Sequence, residues 1–178
     1  LLFFLIVTNN LSAQNGYDNL WMLGFDCCSP GWGGTNIDFK NGAPIISSVT
    51  RHVNITQPFT SISDSIGNLL FYTNGLHIYN KLDSVMQGGD SLSPSSCMDN
   101  FYANNLGGAS YLSTIIVNHP NDTNLFYLIH SGCETNFWPW PYPKNLFMSK
   151  IDMSQNNGLG TIVGKNNIIA TGNMEPPI

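Results

Sequence analysis

Charge is what this chain has least of. Only 10% of its 178 residues are Asp, Glu, Lys or Arg. Glutamate occurs twice, as Glu134 and Glu175, and arginine once, as Arg51. A helical protein of this size carries many more Glu, Lys and Ala, the strong helix formers, so the composition argues against an α fold. The formal net charge is -5 and no Lys or Arg cluster exists. Nucleic-acid binding needs a basic face to displace counterions from phosphate, so that class is set aside. Beyond the first seven residues, no segment is apolar over the ~20 residues that span a bilayer. Paired cysteines at zinc-ligand spacing, a calcium loop and a Lys-bearing phosphate loop are also missing, so neither metal nor cofactor is expected.

What the chain does have is turn chemistry and short apolar runs. The hydrophobic fraction is 42%, enough for one domain with a core. Asn, Ser, Thr and Gly supply most of the polarity, and these residues favour turns and strand ends. The stretch from Asp64 to Asn80 reads as turn, strand, turn, strand. Asn74-Gly75 lies between two apolar-aromatic runs and predicts a type I′ hairpin turn. Part of this unit recurs as Asn121-Asp122-Thr123-Asn124-Leu125-Phe126-Tyr127-Leu128, which points to a repetitive β architecture. Further strands are predicted at 19–25, 36–39, 44–49, 59–63, 112–117, 125–130, 146–153, 161–163 and 168–169, with a polar loop over 81–108. Strands of about five residues with turns every 8–12 predict an all-β sandwich, barrel or propeller.

The N-terminal run Leu1-Leu2-Phe3-Phe4-Leu5-Ile6-Val7, followed by a polar break and Ala13, matches the apolar core and cleavage site of a signal peptide. Residues 1–13 are therefore assigned to a leader truncated at its start, and 14–178 to the mature protein, with an extracellular or outer-membrane-surface location. In that setting Cys27, Cys28, Cys97 and Cys133 are disulfide candidates. Four cysteines allow three pairings. Bonding the neighbours Cys27 and Cys28 closes a strained ring, so pairs crossing to Cys97 and Cys133 rank higher.

Leu20-Trp21 with Gly24, Gly33-Gly34-Thr35-Asn36-Ile37-Asp38-Phe39, and Asp64 with Gly67-Asn68-Leu69-Leu70-Phe71-Tyr72-Thr73-Asn74-Gly75 occur in a recognisable order. Ile78-Tyr79-Asn80, Ile151-Asp152-Met153, Gly158-Leu159-Gly160 and Lys165-Asn166 continue it. This succession resembles the N-terminal region of large secreted Bacteroidetes proteins exported by type IX secretion. The resemblance implies a WD40-like or quinoprotein-like β-propeller. On that expectation the chain is an N-terminal fragment holding two to three four-stranded antiparallel blades. The resemblance supplies no catalytic residues.

The run Phe137-Trp138-Pro139-Trp140-Pro141-Tyr142-Pro143 cannot be a central strand, because proline has no N–H to donate. Its aromatics, spaced by rigid residues, make Trp138, Trp140 and Tyr142 candidates for stacking on sugar rings or a partner peptide, with Trp32 beside them. Asp-Ser-aliphatic triplets make Ser65, Ser84 and Ser91 glycosylation candidates by the same resemblance. Asp64, Asp83, Asp90 and Asp122 read as turn residues, and each of the four His as a packed or solvated side chain. The expected function is a non-catalytic scaffold or binding module for a glycan or a cell-surface protein. The alternative is the propeller part of a secreted polysaccharide hydrolase or lyase.

Overall fold

The computed structural model describes residues 16–24, 33–51, 53, 55, 59–95, 98–99, 114–132 and 143–172. They form three antiparallel sheets in which each strand pairs with the next in chain order. The first holds β1 (Leu20–Leu23), β2 (Gly34–Asp38) and β3 (Ile45–Val49). The second holds β4 (Thr60–Ser63), β5 (Leu69–Thr73) and β6 (Ile78–Asn80). The third holds β7 (Ile115–Asn118), β8 (Leu125–Ser131), β9 (Asn145–Asp152) and β10 (Thr161–Thr171). The all-β expectation holds. Four strands per sheet are reached only in the third, although a bridge between Tyr79 and Val85 extends the second.

Two local expectations are corrected. Thr73 pairs with Ile78, so the β5–β6 loop is the four residues 74–77 and not a two-residue turn. A type I′ turn needs positive φ at both central residues. Here Gly75 has φ 82, and Asn74 is not among the positive-φ residues. Asn74 instead closes the loop with its side chain, its Oδ1 accepting the N–H groups of Leu76 and His77 at 3.1 Å each. The second correction is the polar loop after β6. It buries Met86, Leu92 and Ser93, which aperiodic polar sequence conceals.

The second sheet is the middle layer. Phe71 and Ile78 point to one side and pack with Phe126, Leu128 and Ile151 of the third sheet. Tyr72 and Tyr79 point to the other side and pack with Met22 of the first sheet and with Val53 and Ile55. Period-two alternation with both faces covered explains why 69–72 is apolar throughout. Phe71 meets Phe126 edge-on, with ring centroids 5.5 Å apart. The initial strands keep company: β1 lies beside β4, and β4 beside β7. Among the described residues, each outermost face carries a row of partly exposed apolar residues. Trp21, Ile37 and Ile46 form one row across the first sheet, with Trp21 53% and Ile46 70% exposed. Ile115, Ile129 and Met148 form the matching row across the third.

One end of this stack is built from tight turns sharing one device. Asp38 accepts the N–H of Lys40 at 2.8 Å, Asp64 that of Ile66 at 3.0 Å and Asn80 that of Leu82 at 2.9 Å. Asp122 accepts the N–H of Asn124 and Asp152 that of Ser154, both at 2.9 Å. Each is a carboxylate or amide oxygen closing on the amide two residues ahead, the Asx turn. Contacts between sheets align these turns. Lys40 Nζ donates to Asn68 Oδ1 at 2.7 Å and Gln87 pairs in parallel with Thr161, while within the third sheet Met153 N donates to Asn124 O at 2.8 Å.

Candidate functional site

The opposite end is where the longer connections leave. Because the strands alternate in direction, β1 ends there and β2 begins there, as do β8 and β9. The connection that leads to β7 also arrives there. Trp32, Trp138, Trp140 and Tyr142, and all four cysteines, fall within these three connections and lie outside the described residues. The described strand ends bring their attachment points, Gly24, Gly33, Gly132 and Pro143, to one end of the stack.

Close to that end lies a buried polar network with no counterpart in the sequence reading. His130 projects from β8 between the second and third sheets and is 1% exposed. Its Nδ1 is hydrogen-bonded to Ser93 Oγ, and its Nε2 lies 3.0 Å from Ser149 Oγ on β9. A neutral imidazole has one donor and one acceptor nitrogen, so one hydroxyl donates to the ring and the other accepts. Ser149 Oγ also accepts the N–H of Asn166 at 3.1 Å. The Asn166 side chain closes the ring, taking the N–H of Ser93 on Oδ1 and giving Nδ2 to the carbonyl of Ser91, both at 3.1 Å. Ser91, Ser93 and Asn166 all hold positive φ, at 50, 50 and 55°. Three non-glycine residues in this strained region persist only where neighbours over-determine them. Phe147 stacks on the imidazole, centroids 5.6 Å apart. Burial alone pushes the His130 pKa down to about 4. The ring is neutral at pH 7, and its hydroxyl partners are sealed from solvent.

At the rim, His77 Nδ1 accepts the N–H of Ser91 at 3.4 Å. Lys165 Nζ donates to the Asp90 carbonyl at 2.8 Å and to its carboxylate at 3.2 Å. That contact holds the Asp90 carboxyl below its usual range.

A second polar group is buried between the first two sheets. Arg51 is 7% exposed, gives Nη2 to Asn36 Oδ1, and leaves Nη1 without a hydrogen-bond partner. Burial draws its pKa down against the pull of Asp83 and Tyr72. Asp83 itself accepts the Tyr72 hydroxyl at 2.8 Å. A buried cation with one unsatisfied nitrogen is weak evidence of stabilisation, and an apolar residue of similar volume is often neutral or better. Arg51→Met is therefore expected to leave the urea midpoint unchanged or to raise stability by about 1 kcal/mol. A loss above ~2 kcal/mol would assign Arg51 a contact worth more than its desolvation.

The glycosylation candidates separate by position. Ser65 and Ser84 are exposed on the Asx-turn end, whereas Ser91 is half-buried, with its backbone N–H on His77 and its carbonyl on Asn166. Only Ser65 and Ser84 offer a hydroxyl in an open turn. Among the described residues, no helix is long and apolar enough to cross a membrane. Also among them, no group of three or more His, Cys, Asp or Glu is arranged to hold a metal ion. In comparisons with known protein families, curated proteins and solved structures, nothing matches the chain.

Proposed function

We propose that this chain is part of an exported β-propeller module that binds a glycan or a cell-surface protein and performs no chemistry itself. The observation that carries this reading is the division of labour between the two ends. Asp38, Asp64, Asp122 and Asp152 each close a turn at one end. The other end receives the connections that hold Trp32, Trp138, Trp140 and Tyr142. Loops on a rigid β support are the usual carriers of recognition. Three successive antiparallel meanders packed face to face support a reading as propeller blades. The partly exposed apolar rows on both outer faces are surfaces that further blades would cover. Export rests on the apolar leader and on the resemblance to type IX secretion substrates.

A glycan array probed with the secreted protein tests the function. Trp138→Ala and Trp140→Ala are each expected to weaken binding at least ~10-fold, since stacking on a large aromatic contributes 1–3 kcal/mol. Ile66→Ser, at the Asx-turn end, is expected to leave binding unchanged. Equal loss in all three variants would remove the assignment of the binding end. Release of new chain ends from any polysaccharide would overturn the non-catalytic reading.

A further inference from the structure

Residues 90–93 form the joint between the second and third sheets, and this joint is gripped by a histidine from each side. His77, on the second sheet, accepts the Ser91 N–H on Nδ1. An imidazole nitrogen accepts a hydrogen bond only when it carries no proton, so protonation of Nδ1 turns this acceptor into a second donor facing a donor. His130, on the third sheet, bonds Ser93 Oγ and, through Ser149, the Asn166 N–H. His77 therefore holds the joint in its neutral form, whereas His130, whose serine partners can accept as well as donate, is kept neutral by its burial; the positive φ angles of Ser91, Ser93 and Asn166 oppose both.

We propose that His77 and His130 form an acid-opened clamp: at neutral pH His77 ties residues 90–93 to the second sheet and His130 ties them to the third, and protonation releases that segment while the sheets persist. The charges on the elements packed around the joint do not counter this. On 90–93 itself the charged group is Asp90, which is tied to Lys165 of β10. Lys150 of β9 pairs across from Tyr127, on the opposite face of the sheet from His130. Just before β7, Thr114 offers only a hydroxyl, which is buried without a hydrogen-bond partner among the described residues. Among the described residues no carboxylate is hydrogen-bonded to His130, whose pKa is lowered by burial. At His77 burial lowers the pKa, Asp90 raises it and Lys165 lowers it, with a net downward shift.

The sign follows from linkage. Both histidines have folded-state pKa values below the free value, so the clamped state is favoured above pH 6.5 and loses that advantage as pH falls toward about 4. For His130 alone, a pKa of about 4 in place of 6.5 favours opening by about 100-fold at pH 4 relative to pH 7.

Hydrogen exchange resolved by segment, corrected for intrinsic rates, reads the clamp. Between pH 7 and pH 4 the amides of Ser93 and Asn166 are expected to open about 100-fold more often. Those of Phe71 and Leu128 keep their protection. In His130→Gln the acid response of Ser93 and Asn166 is expected to fall at least ~10-fold, because glutamine does not titrate. The proposal is overturned if all four amides lose protection together, or if His130→Gln responds to acid as the parent does. Should the variant not fold at pH 7, ring titration of the unmodified protein by NMR decides. Midpoints near 4 for His130 and below 6.5 for His77 support the clamp, and free-imidazole midpoints refute it.

Discussion

Phe71→Ala is expected to destabilise the protein by about 3–5 kcal/mol, the range for emptying a buried phenylalanine site. Phe71 is completely buried on the central strand of the middle sheet. It contacts a core drawn from two sheets: Ile62 and Ile78 from its own, Phe126, Leu128 and Ile151 from the third. Removing the ring leaves a cavity whose walls cannot close in. The spacing of the sheets is fixed by the Gln87–Thr161 pairing and by Asn166 on Ser91 and Ser93. Ile66→Ala, at a site 64% exposed, is expected within about 0.5 kcal/mol of the parent. Urea unfolding followed by circular dichroism measures both. A loss below ~1 kcal/mol for Phe71→Ala would mean that the second and third sheets do not share a dry core.

Gly24→Ala is the second large effect, at about 3 kcal/mol, from two separable causes. The backbone at Gly24 has φ 130, where an L side chain is strained. A Cβ there would also stand 2.5 Å from the Gly34 Cα, on backbone that cannot rotate away. Left-handed backbone contributes roughly 1–2 kcal/mol and overpacking roughly 1–3. Gly42→Ala separates them. Its φ is 90, but nothing lies within 4 Å of the added carbon, so only the backbone cost of about 1 kcal/mol is expected. Equal losses at the two positions would show that β1 and β2 part to accept the methyl.

Much of the fold is legible residue by residue. The apolar run from Leu125 to Ile129 after the Asn121–Asn124 turn reads as a strand, but which face is buried is not legible, since both faces are apolar and the buried one holds His130. Asp64 reads as a turn residue from its position before an apolar run, and its carboxylate does accept the Ile66 and Asn68 amides. The recurrence of that unit at 121–128 marks equivalent places, since each turn leads into the second strand of its sheet. The turn at Asn74 was misread because Asn-Gly suits two solutions. Positive φ at both residues closes a two-residue turn, while the Asn side chain can instead cap a longer loop. The 81–95 segment was misread because its buried residues answer to two different sheets and show no period of their own.

The amino-acid sequence alone decided the secondary structure: strands, an Asp or Asn at each tight turn, and no stock of helix formers. Those outcomes rest on interactions within a few residues, such as a side chain bonding the second amide ahead or a period-two burial pattern. Tertiary structure alone decided which turns share an end, which sheet faces stay partly exposed, and that Ser93 meets His130 across 37 residues of chain. Those contacts depend on the register of one sheet against another. Packing sets that register through many weak contacts distributed over both faces, and no local spacing encodes it.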